Sequence, residues 1–447
     1  MNPIPALALV AHAAPSPRWA SRRPGAAGLA RPWSTGRLLL VALAVASAAS
    51  SCTGGAKPVT VGAVYPLSGS QSVGGIEEFR GVKVAAELAN RAGGVHGRPI
   101  RLDPVDVPAA EAAPGAVRQL ADRGVDLLLG SYGSTISSPA AQAAVGRGRL
   151  FWETGAVGKM AGAGSGDLVF RVAPTGAVLG RSAISFVADQ LAPKLHRQAR
   201  SLRFAVVSVD DVYGEAVAAG ALDELRRRDL KVSGSFAYDP NRYDPAAAVR
   251  RIAAAKPDVL FVVAYLEDGV ALRRETVRQH LPLLASIGTS SSYCMPQFGA
   301  ELGRQAVGLF ASDKPDTHGI NPHGLSAGAR KLLADADAAY KAQYGASMTA
   351  PALAGFAGAW ALFHHVLPAA RSTKPQDVAA AARAADVPPG ALPNGSGLRF
   401  GRPGTIDAGA NVSASSVIWQ WAGINRREVV WPPQFATAPL NALPIAR

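Results

Sequence analysis

A short loop in the first third of the chain carries residues that could bind a small anion. The segment 130–135, GSYGST, follows an apolar run typical of a strand and precedes a Ser- and Ala-rich run typical of a helix. The free N–H groups and the positive dipole end of a helix N-terminus favour a carboxylate, and the Ser134 hydroxyl adds a donor. The alternative is that Ser134 and Thr135 only cap the helix.

Residues that could support catalysis or hold a metal do not form a recognised motif. His318 and His323 are separated by Gly-Ile-Asn-Pro in a predicted loop. His364 and His365 are adjacent on a predicted helix, so neither pair has the spacing of metal ligands. The glycine-rich stretch 162–166 lacks the full dinucleotide-binding fingerprint. The sequence therefore predicts a protein without catalytic residues, metal or cofactor, and a Rossmann-type enzyme is the weaker alternative.

Alternating strands and helices are predicted to position the anion-binding loop. Short β-branched runs alternate with amphipathic segments, which is typical of βαβ units on parallel sheets. The predicted strands are 59–65, 125–130, 150–154, 169–173, 204–210, 232–238, 259–265, 284–288, 307–311, 398–400, 416–421 and 428–431. The predicted helices are 77–92, 117–123, 214–228, 245–255, 270–279, 327–344, 353–370 and 376–385.

The length predicts more than one hydrophobic core. The chain has 447 residues, and about 400 residues of α/β sequence usually divide into two cores. Ligands of open α/β sheets bind at the carboxyl ends of the strands, where loops lead into helix N-termini. We therefore expect two α/β lobes with a cleft between them, and the 130–135 loop at that cleft.

The net charge of +14 does not indicate a nucleic-acid partner once its distribution is considered. Five arginines and no acidic residue fall within residues 1–51. The remaining excess is mostly Arg dispersed along predicted helices, whereas nucleic-acid binding needs the charge clustered on one face. The dispersed arginines therefore predict a solvent-exposed protein surface that does not bind nucleic acid.

The N-terminus predicts export. An apolar run at 38–46 follows Arg37 and leads through small residues to Cys52, which is the order of an export signal. Small residues directly before Cys52 resemble a bacterial lipoprotein signal. We predict a signal peptide at 1–51, lipidation of Cys52, a tether at 52–58, and a membrane-anchored protein on the extracytoplasmic face. The alternative is ordinary cleavage beside an incidental cysteine, and lipidation would leave Cys294 as a lone thiol.

Seven short motifs follow one another along the chain in an order that resembles a known family. They are VGAVYPLSG at 61–69, FRG at 79–81, NRAGGVHGRPI at 90–100, FR at 170–171, DDVYG at 210–214, KPD at 256–258 and GLRF at 397–400. In this order they resemble the type I periplasmic binding proteins, which carry branched-chain amino acids, amides and related solutes to ABC importers. The resemblance spans about residues 59–435.

The resemblance implies two Rossmann-like lobes and a hinge that the chain crosses three times. Transferred to this sequence, the crossings fall near 172–175, 312–315 and 394–397. The first lobe then comprises 59–173 and 312–396, and the second comprises 174–311 and 397–447. Closure of the lobes around a ligand would present a new surface to a membrane permease.

The resemblance also implies which residues bind the ligand. In the family, the serine that matches Ser134 binds the ligand's carboxylate, which favours a ligand role for Ser134 and Thr135 over capping. The loop at Ala156 and Val157 contributes backbone atoms, and Val157 stands where a hydroxyl is usual.

Two tyrosines match aromatic pocket positions of the family in the second lobe. They are Tyr213, at a predicted helix N-terminus, and Tyr265, at a predicted strand end. Their rings can cover an apolar side chain or face an ammonium group.

Two further departures from the family pattern, besides Val157, concern the ligand's identity. Ser290 stands where amino-acid binders place an acid for the α-ammonium group, and Gly74 stands where an aromatic contact is common. Glu153 could replace the missing acid, or simply be exposed at a strand end, and Tyr132 could add a wall. These departures favour a neutral polar solute, an amide, or an aromatic carboxylate without an ammonium group.

The predicted function is capture of a small polar solute, namely an amino acid, an amide or an aromatic carboxylate. The predicted partners are ABC permease subunits and, through the lipid, the membrane; we expect a monomer without nucleic acid. A ligand sensor of the same fold is the alternative, because fold alone does not distinguish transport from sensing.

Overall fold

The computed structural model describes residues 56–160, 168–405 and 407–445. The predicted signal peptide and the predicted lipidation site Cys52 lie outside these described residues, as does the glycine-rich stretch 162–166.

The first sheet is parallel and has the strand order β2-β1-β3-β4-β5. Its strands are β1 (Val59–Tyr65), β2 (Ile100–Asp106), β3 (Leu127–Gly130), β4 (Leu150–Glu153) and β5 (Val169–Arg171). Strands β3, β4 and β5 are wholly buried, as expected for a sheet covered on both faces.

The second sheet has seven strands in the order β12-β11-β10-β9-β8-β6-β7. They are β6 (Arg203–Val209), β7 (Lys231–Tyr238), β8 (Val259–Val263), β9 (Ala285–Thr289), β10 (Phe310–Asp313), β11 (Val417–Gly423) and β12 (Arg426–Trp431). Strands β6 to β10 are parallel, and the hairpin β11–β12 adds an antiparallel edge beside β10.

Twelve α-helices of the described chain connect and cover the sheets. They are α1 (Ser72–Arg91), α2 (Ala113–Asp122), α3 (Ser134–Val145), α4 (Gly176–Phe186), α5 (Ala192–Lys194), α6 (Val212–Arg227), α7 (Pro245–Ala254), α8 (Leu266–Arg278), α9 (Pro296–Leu302), α10 (Ala327–Tyr344), α11 (Ala350–Trp360) and α12 (Pro375–Ala384). We call the first sheet with its helices the first lobe, and the second sheet with its helices the second lobe.

The chain passes between the lobes three times. It leaves the first sheet after β5 for α4, which packs on α6, and returns after β10 to α10 and α11, which pack on α1. The last passage is later than the sequence suggested, because Phe400 still packs against Trp152 of β4 at a ring distance of 5.4 Å. Asn411 donates its backbone N–H to Arg171 of β5, so the passage lies at 412–416.

Some sequence expectations differ from the observed elements. Strand β2 and helices α4, α5 and α9 were not predicted, and the strand expected at 307–311 is β10, Phe310–Asp313. The strand expected at 398–400 is absent, because Leu398 and Phe400 make only isolated bridges to Val387 and Asn411. The helix expected at 353–370 begins earlier and its α-helical part ends at Trp360, before a π-helical turn at Ala361–Val366 and a 3₁₀ turn.

Helix α11 and the turns that follow it form a core element. By length and composition the segment Ala350–Ala369 could cross a membrane, but 89% of its most apolar stretch is buried inside the protein. It packs along α1 through close backbone contacts, which explains its apolar character.

We expect Gly81→Ala to lower the free energy of unfolding by about 1–3 kcal/mol. A Cβ atom at Gly81 of α1 would lie 1.9 Å from the carbonyl oxygen of Ala352 of α11, so the two helices would have to separate. The matched control is Gly115→Ala on α2, where nothing lies within 4 Å; it should leave stability unchanged or raise it by about 0.5–1 kcal/mol. Equal effects of the two substitutions in urea denaturation would contradict this packing.

Candidate functional site

Loops of both lobes meet at the carboxyl ends of the strands and line a small cavity, which we call the inner cavity. Its lining residues are Tyr132, Gly133, Ser134, Gly155, Val157, Tyr213, Tyr265, Ser290, Ser291, Asp313, Lys314 and Pro351. The cavity has a volume of about 20 Å³, whereas a single water needs roughly 10–15 Å³. A solute as large as an amino acid therefore enters only if the lobes separate.

The structure brings six of the eight predicted ligand residues to this cavity. They are Tyr132, Ser134, Val157, Tyr213, Tyr265 and Ser290. Thr135 instead accepts a hydrogen bond from the Gln71 amide at 2.7 Å and lines a larger outer cavity. Ala156 is buried behind the wall, and its backbone N–H is bound to Glu153.

Ser134 is positioned to donate its hydroxyl proton into the cavity. Gly133 is the N-cap of α3, and Ser134 is the first helical residue, so its side chain does not cap the helix. The Ser134 Oγ accepts a hydrogen bond from the Gly158 N–H at 2.9 Å. A hydroxyl that accepts one bond keeps its own proton to donate. Ser134 also begins α3, whose first N–H groups have no partner within the helix.

Glu153 holds the two first-lobe loops together and is neither exposed nor free to bind a ligand. Its carboxylate accepts backbone N–H groups from Ser131 at 2.9 Å, Gly155 at 2.8 Å and Ala156 at 2.7 Å. The Ser137 hydroxyl is a fourth donor. Burial raises the pKa of Glu153 more than these hydrogen bonds lower it. The idea that Glu153 receives a ligand ammonium group is therefore wrong, because its oxygens are already occupied.

A second buried carboxylate, Glu78 of α1, lies beneath the same loops. Tyr65 and Thr154 form a hydroxyl chain with a 2.6 Å contact, and Thr154 donates to Glu78 Oε1 at 2.7 Å. Glu78 Oε2 has no hydrogen-bond partner among the described residues. Burial, reinforced by the nearby charge of Glu153, raises the pKa of Glu78 to about 8. Glu78 is therefore mostly protonated at neutral pH.

Gly74 makes room for Tyr132. A Cβ atom at Gly74 would lie 2.1 Å from the Tyr132 ring carbon Cζ, so only glycine leaves space for the ring there. Tyr132 itself has a left-handed backbone with φ of 49°. The aromatic wall at this side of the cavity thus comes from the 130–135 loop, and the glycine on α1 allows it.

The second lobe contributes two tyrosines whose hydroxyls are held by neighbours. The Tyr213 hydroxyl lies 2.8 Å from the Thr289 hydroxyl, and the Tyr265 hydroxyl donates to Asp211 at 2.7 Å. Asp211 also caps α6 by accepting the N–H of Tyr213. Burial raises the pKa of both tyrosines, so both stay neutral. The ring centroids are 5.5 Å apart and form one wall.

Two charged residues of the site, Asp313 and Lys314, were not predicted from the sequence. Ser290 donates to Asp313 Oδ1 at 2.6 Å, and the thiol of the buried Cys294 lies 2.8 Å from Asp313 Oδ2. The next residue, Lys314, donates to the Gly155 carbonyl of the first lobe at 2.8 Å. The available signal was an Asp-Lys pair two residues beyond the predicted strand 307–311, near the strand end where parallel sheets bind their ligands.

The outer cavity adjoins the inner one across Tyr132, Tyr265 and Ser291, which line both. Its volume is about 470 Å³. Its walls come from both lobes, with α1 residues such as Gly74 facing α8 residues such as Glu267.

The sequence profile of the periplasmic binding protein family matches residues 58–411. The chain belongs to that family. The predicted type I periplasmic binding protein fold, an α/β fold with two lobes, is confirmed by solved structures of the same architecture.

Relatives of this periplasmic binding protein are known in sequence and structure. The Leu/Ile/Val-binding protein homolog 8 of Brucella suis is 27% identical over 409 residues, which cover 91% of this chain and 98% of that protein. The leucine-binding protein LivK of Thermotoga maritima matches with a TM-score of 0.69 and 16% identity, over 83% of this chain and 97% of that one. LivJ of Streptococcus pneumoniae, solved with isoleucine, matches with a TM-score of 0.65 and 17% identity, over 84% and 100%.

The family and its relatives are solute-binding proteins, not enzymes, in agreement with the sequence prediction. One short sequence, GLSAG at 324–328, has the spacing of a hydrolase nucleophile. In this periplasmic binding protein, however, Ser326 caps α10 by accepting the Ala329 N–H at 3.2 Å. Within the described residues, no group of three His, Cys, Asp or Glu side chains could hold a metal ion.

Proposed function

We propose that this protein captures a small polar solute outside the cytoplasm and delivers it to an ABC importer. The observation that carries the proposal is the inner cavity, where Ser134 and the start of α3 face Tyr213 and Tyr265 across the two lobes. A donor group on one lobe and an aromatic wall on the other bind a solute only when the lobes close. Such closure gives a permease a conformation to recognise.

The solute is an amino acid, an amide or an aromatic carboxylate. The Ser134 hydroxyl and the N-terminal N–H groups of α3 suit a carboxylate or a carbonyl oxygen. The rings of Tyr132, Tyr213 and Tyr265 suit an apolar or aromatic side chain. Relatives named for leucine, isoleucine and valine support a solute about as large as an amino acid.

We further propose that residues 1–51 are removed on export and that lipidated Cys52 anchors a monomer to the extracytoplasmic face of the membrane. The order of the apolar run, the small residues and Cys52 supports this proposal. Metabolic labelling with palmitate tests it: the wild type should incorporate the label and Cys52→Ser should not. Equal labelling of the two proteins would contradict the anchor.

Isothermal titration of the protein against a panel of amino acids, amides and aromatic carboxylates tests the binding function. We expect at least one class to bind, and Ser134→Ala to weaken its binding by tenfold or more because one donor to the bound oxygen is lost. The matched control is Ser201→Ala, an exposed serine whose hydroxyl bonds only to the Gln198 carbonyl. Binding by none of the three classes, or equal weakening by both variants, would overturn the proposed site.

A further inference from the structure

A lysine ammonium group stands inside the inner cavity, and neither the binding function nor the family match accounts for it. Lys314 follows β10 directly and is only 5% exposed. Among the residues that line the inner cavity, it is the one Lys or Arg. A cation buried to this degree needs acceptors, and the identity of those acceptors decides what else the cavity can bind.

The acceptors that Lys314 uses are the ones a ligand ammonium group would need. Its Nζ donates to the Gly155 carbonyl at 2.8 Å and lies 4.0 Å from Asp313 Oδ1. Asp313 is engaged further by the Ser290 hydroxyl and the Cys294 thiol. Asp313 is the one carboxylate that lines the inner cavity, and its oxygens already accept from Ser290 and Cys294 and lie near the protein's own ammonium group.

The opposite side of the cavity offers donors. Ser134 keeps its hydroxyl proton because its oxygen accepts from Gly158, and α3 begins at the same point. An ammonium group has three protons, so Lys314 has capacity left after it binds Gly155. A ligand carboxylate would meet a hydroxyl, a helix N-terminus and a cation, whereas a ligand amino group would meet a like charge and a carboxylate, Asp313, that already has partners.

We propose that Lys314 is a specificity-determining residue that makes this cavity select carboxylates without an amino group over α-amino acids. Aliphatic or aromatic 2-oxo acids and simple aromatic acids are the favoured ligand class. The inference rests on the proposed binding function and narrows it, because it names which member of the solute panel the site prefers.

Matched ligand pairs test the inference on the full-length wild-type protein. The pairs are L-leucine with 4-methyl-2-oxopentanoate and L-phenylalanine with phenylpyruvate, each measured by isothermal titration at pH 7. The members of a pair share a carboxylate and a side chain and differ in the amino group. We expect the oxo acid of at least one pair to bind tenfold or more tighter than its amino acid.

A charge-neutral variant assigns the preference to Lys314. Lys314→Met should weaken oxo-acid binding by tenfold or more and leave amino-acid binding unchanged or stronger, so that the preference is lost. The matched control is Lys331→Met on α10, which removes the same charge from a side chain that is 78% exposed; it should preserve the preference. Lys314→Gln keeps a donor for Gly155 without the charge, and it serves if the Met variant does not fold.

The possible outcomes distinguish the ligand preference, the role of Lys314 and the binding function. Amino acids that bind as tightly as their oxo acids in the wild type would overturn the inference and leave the binding function in place. A preference that survives in both Lys314 variants would overturn the assignment to this residue. If the protein binds neither the paired ligands nor any other solute of the panel, the proposed binding function itself is overturned.

Discussion

Glu153→Ala is expected to lower the free energy of unfolding by about 3–5 kcal/mol and to weaken solute binding by tenfold or more. The substitution removes the acceptor of three backbone N–H groups and the Ser137 hydroxyl, all in a region without solvent. Those donors belong to the loops that carry Ser134 and Gly155. Loss of the carboxylate therefore leaves buried donors unpaired and frees both loops from each other.

Urea denaturation and titration calorimetry measure the two effects together. Glu153→Gln retains one acceptor oxygen, so we expect a smaller loss, about 1–2 kcal/mol. Glu301→Ala is the matched control, because that carboxylate is 45% exposed and pairs with Arg274 on the surface. A loss below about 1 kcal/mol for Glu153→Ala would show that the carboxylate does not organise the loops.

The second large effect is a dependence of stability on pH that originates at Glu78. The pKa of Glu78 is about 8 in the folded protein, against an ordinary value of 4.5. Between these values the folded state holds a proton that the unfolded state releases, so the free energy of unfolding falls as pH rises. The contribution is fully present below pH 4.5 and is lost as the pH passes 8.

Glu78→Gln keeps the shape of the side chain and cannot ionise. We expect the variant to be more stable than the wild type at pH 8.5 by about 2–4 kcal/mol, and its stability to change less between pH 5 and 8.5. The control Glu87→Gln lies on the same helix and is partly exposed, so it should retain the slope of the wild type. Parallel stability curves for the wild type and Glu78→Gln would contradict a buried, protonated Glu78.

Local signals explain which elements the sequence predicts well. Helix α10 has the predicted bounds, because Ser326 caps its start and Gly345 ends it in a left-handed conformation with φ of 77°. Strand β2 was missed because it contains Pro104 and alternates charged with apolar residues. It is tolerated as the edge strand of the first sheet, where a proline interrupts few hydrogen bonds.

The residues of the site could be predicted only in part, because some of them depend on which strands are neighbours in the sheet. Ser134, Tyr213 and Tyr265 were predicted to lie at one cleft from their places at strand ends, and all three line the inner cavity because parallel strands share one carboxyl edge. An acid does lie beside Ser290, because Asp313 is on the neighbouring strand β10, but Ser290 and Cys294 already donate to it. That neighbour is set by the order of strands in the sheet, which the sequence does not show, and Lys314 was missed for the same reason.

Small-angle X-ray scattering with and without ligand tests most directly whether the lobes close around a solute. Because the inner cavity holds about 20 Å³, we predict that the free protein scatters as a more open particle than this structure. Saturation with the tightest solute of the panel should reduce the radius of gyration and bring the curve into agreement with this structure, and Ser134→Ala should require more solute. A radius that is unchanged at calorimetric saturation would contradict capture by closure.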